Sequence, residues 1–273
     1  MRTDTPSIVL LGAGKMGFAL AQGWRARDLA GAHTTLLDPV PAREVAAWCA
    51  DNGVRLNPPD ATIEPPDALV LAIKPQSLDE AAPRIAALAG PRTLTISILA
   101  GKSVADLAAR APHARAIVRA MPNTPAAIGR GVTGAFASPG VEARQHALAE
   151  ALLSAVGGVV WLDDESLIDA VTAVSGSGPA YVFLLAECMA EAGRAAGLPP
   201  GVAMALARAT VEGAGELMRQ SPQTSPAHLR ANVTSPGGTT AAALAVLMAD
   251  DGLQPLMTRA IAAAARRGRE LAG

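Results

Sequence analysis

The sequence predicts an α/β domain with a parallel sheet, followed by an all-α domain. Three observations lead to this prediction. A glycine-rich turn follows a short apolar run near the N-terminus, strand and helix patterns alternate as far as Leu162, and only helical patterns continue beyond it. We place the boundary so that residues 1–163 form the first domain and residues 164–273 form the second.

The glycine-rich turn has the spacing G-x-G-x-x-G at Gly12, Gly14 and Gly17, directly after apolar residues 8–11. The first glycine permits a tight turn, the second lets a pyrophosphate approach, and the third lets the next helix pack closely. The pyrophosphate would face the positive end of that helix. We therefore predict a Rossmann-like site for NADH or NADPH, with a loop formed by Gly12, Ala13, Gly14, Lys15, Met16 and Gly17.

The other elements of the first domain are predicted from apolar runs bounded by turn residues. Strands are expected at residues 34–37, 68–73, 93–99, 116–120, 132–137 and 159–162, and helices at 19–27, 45–51, 78–88, 103–110 and 142–156. Alternation of this kind predicts a parallel sheet that is covered on both faces.

The second domain consists of Ala-, Leu- and Met-rich helical stretches, with breaks near residues 175–179, 197–201, 221–226 and 235–238. Much of it is apolar around the whole helix circumference, so these helices need burial on several sides. A domain of about a hundred residues cannot easily supply that burial alone. We expect a homodimer formed through these helices, or a larger homo-oligomer.

Composition narrows the class of protein. A net charge of −1 argues against nucleic acid or an anionic membrane as the main partner. The N-terminus, with Asp4 and Pro6, lacks a signal-peptide pattern, and no uninterrupted apolar run is long enough for a bilayer span. We therefore expect a cytoplasmic protein.

No metal site is expected. Cys49 and Cys188 match no metal-ligand spacing and are interpreted as reduced core cysteines. The histidines pair neither with one another nor with a cysteine at such a spacing; they are His33, His113, His146 and His228. Without a metal, a Ser-His-Asp or a Cys-His arrangement, the chemistry must depend on the cofactor.

Several polar residues follow predicted strands, where ligands bind in open α/β sheets. Asp38 lies about twenty residues beyond the glycine loop and favours NADH, because a carboxylate accepts from the ribose 2′-hydroxyl and repels a 2′-phosphate. Arg43 could instead reach such a phosphate. Lys74 either faces the cofactor or reaction site or is a surface lysine, and Asn123 either bonds the nicotinamide amide or satisfies its own turn.

A second candidate loop spans residues 232–240, Asn-Val-Thr-Ser-Pro-Gly-Gly-Thr-Thr, ahead of an apolar stretch. Its glycines permit a tight turn, and its threonines lie where a helix start offers free N–H groups to a small anion. Alone, this loop is equally explained as a capped helix start. Glu165, near the domain junction, is either a cleft residue or a solvated helix-start glutamate.

Four segments in the same order resemble the pyrroline-5-carboxylate reductase family over essentially the whole chain. They are Ala-Ile-Lys-Pro-Gln at 72–76, Met-Pro-Asn-Thr-Pro at 121–125, Ala-Val-Ser-Gly-Ser-Gly-Pro-Ala-Tyr at 173–181 and Val-Thr-Ser-Pro-Gly-Gly-Thr-Thr at 233–240. The resemblance implies hydride transfer from NAD(P)H to C5 of a cyclic imine, which gives L-proline. It also implies dimers with interleaved C-terminal helices, sometimes assembled into larger rings.

The resemblance implies a role for each matching residue. The glycine loop holds the pyrophosphate, and Thr240 bonds the ring nitrogen. The residues expected to line the cofactor are Ala72, Ile73, Lys74 and Pro75, and those expected to bind substrate are Ser177, Asn232, Ser235, Gly237, Gly238, Thr239 and Glu165. Thr240 and Lys74 are the catalytic candidates. Asp38-Pro39 departs from the small polar or basic pair of many relatives, so an NADP preference does not carry over.

Two alternatives remain at this point. β-Hydroxyacid dehydrogenases and related imine reductases share the architecture, but the hydroxyacid enzymes use a lysine of the helical domain, and this chain has none between Leu162 and Gly273. A protein that binds NAD(P)H without turnover is the second alternative.

Overall fold

The computed structural model describes residues 5–272. Asp4, on which the expectation about the N-terminus partly rests, lies outside the described residues, as do the outermost ends of the two predicted domains. Among residues 5–272 the predicted order of strands and helices is confirmed, and the structure contains one short strand that was not predicted.

One sheet of eight strands organises the first part of the described chain. The strands are β1 (Ile8–Leu11), β2 (Thr34–Leu37), β3 (Arg55–Leu56), β4 (Ala68–Leu71), β5 (Leu94–Ser97), β6 (Ala116–Met121), β7 (Gly131–Ala137) and β8 (Gly157–Leu162). Their order is β3-β2-β1-β4-β5-β6-β7-β8. The sequence did not predict β3, because a strand of two residues is too short to carry an alternating pattern.

The sheet is parallel except at one pair. Strand β7 runs antiparallel to β6, with Val118 opposite Ala137. The connection between them holds only a short 3-10 helix, Thr124–Ile128. A parallel crossover needs a dozen or more residues, whereas antiparallel neighbours can be joined directly. The predicted parallel sheet is therefore confirmed for the other pairs, and β6–β7 departs from it.

Both faces of the sheet are buried. Ile8 and Leu10 of β1 belong to one apolar cluster, while Val9 and Leu11 belong to another. Successive strand side chains point to opposite faces, so two covered faces explain the continuous apolar run in the sequence. Trp24 is 1% exposed, and its indole N–H donates to the carbonyl of Leu152 at 2.8 Å, which joins two helices on one face.

Helices connect most of the strands, and one more follows the last strand. They are α1 (Lys15–Ala26), α2 (Arg43–Asn52), α3 (Leu78–Leu88), α4 (Val104–Arg110), α5 (Ala143–Ser154) and α6 (Ile168–Val171), and a π-helical turn, Thr172–Gly176, follows α6. Gly53, with φ of 65°, ends α2 in the left-handed conformation, as its sequence position predicted. The break expected at 175–179 is thus a π turn that leads into the next helix.

The remaining helices are α7 (Gly178–Ala195), α8 (Pro200–Gln220), α9 (Pro226–Asn232), α10 (Thr239–Leu247) and α11 (Leu253–Ala272). Backbone contacts divide the chain into two compact units. One comprises Ser177–Ala263, and the other comprises the residues up to Gly176 and those from Ala264 onward. The predicted boundary at 163/164 coincides with the end of the strand-bearing region and stays a prediction.

The helical unit exposes many large apolar side chains. Phe183 is 63% exposed, and Leu206, Val246 and Met248 are also exposed. By length and composition alone, the continuous stretch Glu165–Ala195 is apolar enough to cross a membrane. Ser, Gly and Pro residues interrupt this stretch at 175–179, so the expectation that no uninterrupted apolar run is long enough for a bilayer span stays a prediction. The apolar surface itself agrees with the predicted need for burial by a neighbour.

Candidate functional site

The glycine loop at the end of β1 has the packing that its spacing predicts. Gly12 has φ of +97°, and a Cβ atom there would lie 2.6 Å from the carbonyl oxygen of Ala72. A Cβ atom on Gly17 would overlap the carbonyl oxygen of Gly12. Around Gly14, by contrast, no described atom outside its own helix and its immediate chain neighbours lies within 4 Å of the Cβ position. The loop thus packs tightly on its inner side and is open at the point where a pyrophosphate would approach.

The helix that follows this loop starts with free donors. Gly14 is the N-cap of α1, and no side chain of residues 5–272 caps it. Lys15 and Met16 form the first turn with Gly17, and the first helical bond runs from Phe18 N–H to the carbonyl of Gly14 at 2.8 Å. The preceding N–H groups and the helix dipole make this end suited to a phosphate.

Asp38 lies at the carboxyl end of β2, beside the glycine loop. Its Oδ2 accepts from the backbone N–H of Ala13 at 2.8 Å, and its Oδ1 accepts from Val40 N–H at 2.9 Å. Each carboxylate oxygen therefore retains capacity for a further donor. The carboxylate is held where a ribose hydroxyl is expected in a Rossmann-like site.

The segment after β4 packs against the same loop. Ala72 N–H donates to the carbonyl of Leu11 at 2.8 Å, and the backbone of Ala72 and Ile73 is the surface that Gly12 approaches. Lys74 is exposed and precedes a short 3-10 helix, Pro75–Ser77. The structure therefore brings Ala72 and Ile73 against the glycine loop, while the choice between a cofactor-facing and a surface Lys74 stays open.

Asn123 follows β6 and is 9% exposed. Its Oδ1 accepts from Val132 N–H at 2.9 Å, and its Nδ2 donates to the carbonyl of Ser175 at 3.1 Å. These bonds reach β7 and the π turn rather than the residue's own turn. One amide hydrogen and one lone pair remain, so its predicted contact with the nicotinamide amide stays a prediction.

Glu165 takes part in a partly buried ion pair that the sequence did not reveal. Its Oε1 accepts from Val104 N–H at 2.7 Å, at the start of α4, and from Arg119 Nη1 at 3.2 Å. Arg119 lies on β6 with a side chain that is 8% exposed, and its Nη2 lies 3.7 Å from Asp169. A buried guanidinium needs such partners. The one sequence feature that could have indicated this ion pair is an arginine inside an otherwise apolar strand.

The second loop forms a tight turn ahead of α10. Gly237 has φ of +69°, the Gly238 N–H donates to the carbonyl of Ser235 at 3.0 Å, and Gly238 is the N-cap of α10. No side chain in the described part of the molecule caps this start. Because Ala242 N–H is the first to bond back, to Gly238, the N–H groups of Thr239 and Thr240 are available to an anion.

Two other predicted substrate residues lie at the ends of helices in the helical unit. Asn232 is exposed at the end of α9, and Ser177 precedes α7. An open groove of about 550 Å³ runs between α9 and α10 and is lined in part by Arg230, Thr234 and Leu244. The roles of these residues stay predictions.

The two cysteines differ in their surroundings within the described part of the molecule. Cys49 is buried, and desolvation raises the pKa of its thiol, which disfavours the reactive thiolate. Cys188 is exposed in the single chain, unlike the core position expected for it. Across residues 5–272, no group of three or more His, Cys, Asp or Glu side chains is placed to hold a metal.

Comparison with known proteins gives one consistent family. The family model described as pyrroline-5-carboxylate reductase dimerisation matches residues 165–271, and the model described as NADP oxidoreductase, coenzyme F420-dependent, matches residues 7–101. A pyrroline-5-carboxylate reductase of Pseudomonas aeruginosa is 42% identical over 271 residues, 98% of each chain. One of Synechocystis is 49% identical over 207 residues, 75% of each chain. The structure of one from Coxiella burnetii has a TM-score of 0.88 at 33% identity, covering 98% of this chain and 99% of that one.

Proposed function

Because this chain belongs to the pyrroline-5-carboxylate reductase family, we propose that it reduces 1-pyrroline-5-carboxylate to L-proline with NADH or NADPH, the final step of proline biosynthesis. The observation that carries the proposal is the 42% identity to a reductase of that name over 98% of both chains. The two loops described above supply the donor sets that a dinucleotide and a carboxylate require.

The residues of the glycine loop fit a dinucleotide. The open side of Gly14 admits a pyrophosphate, the first turn of α1 offers it N–H donors, and the Asp38 carboxylate accepts from a ribose hydroxyl. Ala72–Pro75 and Asn123 would border the nicotinamide end. When bound, NAD(P)H supplies the hydride that C5 of the imine accepts.

The loop at residues 235–240 fits the substrate carboxylate. The N–H groups and hydroxyls of Thr239 and Thr240 give charge-assisted hydrogen bonds at a helix start, where the dipole favours an anion. Ser235, Gly237 and Gly238 shape the turn, and Ser177, Asn232 and Glu165 are proposed as further substrate contacts.

Thr240 is proposed to bond the ring nitrogen. A cyclic imine is most electrophilic when that nitrogen is protonated, so the site must hold an iminium or deliver a proton as the hydride arrives. A threonine hydroxyl is a weak acid, but it can orient the nitrogen and relay a proton through water. Lys74 is the second catalytic candidate. Holding the reacting carbon in the correct orientation lowers the activation barrier by up to about 7–11 kcal/mol in well-oriented reactions.

We propose a preference for NADH over NADPH. The Asp38 carboxylate is fixed by Ala13 and Val40 at the end of β2, where it would repel a 2′-phosphate. Arg43 is exposed at the start of α2 and is the competing feature that would favour the phosphate.

A dimerisation domain over residues 165–271 makes the chain a homo-oligomer, and we propose a dimer through the C-terminal helices or a larger ring. The apolar side chains that α7, α8 and α10 expose would be buried by a second copy. We place the protein in the cytoplasm, with neither nucleic acid nor membrane as a partner.

The test is steady-state oxidation of NADH and NADPH with the five- and six-membered cyclic imino acids. The proposal expects turnover with pyrroline-5-carboxylate, more efficient with NADH, and a modest loss for the six-membered ring, since one methylene changes binding by about 1–3 kcal/mol. Tight NADH binding by fluorescence without any oxidation would instead identify a dinucleotide-binding protein. Oxidation of NADH or NADPH only with a larger imine would instead identify the protein as a related imine reductase.

A further inference from the structure

Asp38 is itself held by a second residue. The backbone N–H of Asp38 donates to Asn57 Oδ1 at 2.9 Å, and Asn57 Nδ2 donates back to the Asp38 carbonyl at 2.7 Å. Nineteen residues separate the two in sequence. A reciprocal pair of this kind fixes the peptide groups on both sides of one residue, and with them the direction in which its side chain leaves the backbone.

Asn57 is suited to this contact by its own conformation. It follows β3 directly, and its N–H donates to the carbonyl of Leu36 at 2.9 Å, which continues the pairing of β2 with β3. Its φ is +46°, in the left-handed region that asparagine tolerates better than most residues. This turn aims the amide at Asp38 rather than along the sheet.

The segment after Asp38 has little other support. Val40 is 85% exposed, and Pro39 is exposed beside it. The carboxylate of Asp38 is itself bonded to Ala13 of the glycine loop. Asn57, Asp38 and Ala13 therefore form one chain of hydrogen bonds from β3 to the loop that would hold the pyrophosphate.

We infer that Asn57 is a positioning residue for cofactor discrimination: by clamping the backbone of Asp38, it keeps the Asp38 carboxylate at the place where NADH and NADPH differ. In this role Asn57 contacts Asp38 and not the dinucleotide. The inference rests on the proposed NAD(P)H site and goes beyond it by naming the residue on which the charge discrimination depends. Without the clamp, Asp38 would be held only through the bonds of its carboxylate to Ala13 and Val40, and its backbone could shift the carboxylate away from a 2′-phosphate, so losing the clamp should help NADPH more than it harms NADH.

The test compares the dissociation constants of NADH and NADPH, measured by nicotinamide fluorescence without substrate. Asn57→Gly removes the amide and keeps the left-handed backbone accessible, so it separates the clamp from the turn. We expect the ratio of the NADPH constant to the NADH constant to fall about three- to tenfold, the effect of roughly one hydrogen bond. Thermal melting of each variant checks that it is folded.

Two further variants make the result specific. Asn52→Ala removes an asparagine amide that donates to the Trp48 carbonyl at 2.8 Å on α2, and it should leave the ratio unchanged. In an Asp38→Asn background, Asn57→Gly should produce no further fall, because the charge it positions is gone. An unchanged ratio in a folded Asn57→Gly protein, or an equal fall in both backgrounds, would overturn the inference.

The same dissociation constants test the proposed preference for NADH separately from the role of Asn57. A wild-type protein that binds NADPH more tightly than NADH refutes that preference, while the shift caused by Asn57→Gly still decides the role of Asn57. A wild-type preference for NADH with no shift in the variant refutes the role of Asn57 alone.

Discussion

Arg119 donates to the carboxylate of Glu165 at 3.2 Å and ties β6 to the short helical turn that precedes α6. The same carboxylate oxygen accepts from Val104 at the start of α4. One side chain thus joins three elements of the sheet-bearing unit. The family resemblance implied a place for Glu165 in substrate binding, and its contacts add a structural role.

Glu165→Gln separates these two roles. The amide oxygen can still accept from Val104 and Arg119, but the negative charge is lost and only the more distant Asp169 carboxylate then balances the guanidinium, so we expect a loss of about 1–3 kcal/mol in the free energy of unfolding by urea. Asp79→Asn is the control, because its pair with Arg110 is largely exposed and should contribute less than about 1 kcal/mol. A raised KM for pyrroline-5-carboxylate would support the substrate role; an unchanged KM would leave only the structural one.

Alanine substitutions at two glycines of the first loop should differ in their effects on NADH binding and on stability. Gly14→Ala adds a Cβ atom to open space, so the melting temperature should hold while the dissociation constant for NADH rises about tenfold or more. Gly17→Ala forces the loop and α1 apart and should also cost about 1–3 kcal/mol of stability. Equal melting temperatures for both variants would contradict this division, and isothermal titration with NADH measures the binding.

Thr240→Ala tests the group proposed at the ring nitrogen. We expect kcat to fall about a hundredfold, as for the loss of a proton-transfer group, while NADH binding stays within about twofold. Thr240→Ser keeps the hydroxyl and should recover most of the rate. Losses of similar size in kcat and in NADH affinity would count against the role.

Asp106 gives a pH dependence of stability. The Ser103 hydroxyl and backbone N–H donate to its carboxylate and hold the pKa of Asp106 below its ordinary value. Because the pKa is lower in the folded state, the stabilisation is complete above about pH 4, the unfolded value, and is lost as pH falls through the folded value.

Urea unfolding of wild type and Asp106→Asn measures that effect. The difference should be about 0.5–1 kcal/mol at pH 7, a modest value because solvent screens the partly exposed group, and should shrink below pH 4. A difference that grows on acidification would show that the carboxylate is not the stabilising species.

Local patterns were enough to predict much of the fold. The helix predicted at 78–88 has the same bounds in the structure, since its apolar spacing and acidic first turn both lie within the same 11 residues of chain. The antiparallel β7 was not predicted, because strand direction depends on how a connection closes in space. Asn57 was missed for a similar reason: an Asn-Pro pair signals a turn, but nothing in it names Asp38 as the partner.

The sequence by itself determined the order of elements, the position of the glycine loop and the helix start at 238–240, because each depends on residues that are neighbours along the chain. Only the tertiary structure decided which side chains meet: Asp38 with Ala13 and Asn57, Arg119 with Glu165, and Asn123 with Ser175. Those contacts join residues 19 to 52 positions apart. Their geometry is set by strand order and register, which no local pattern of residues encodes.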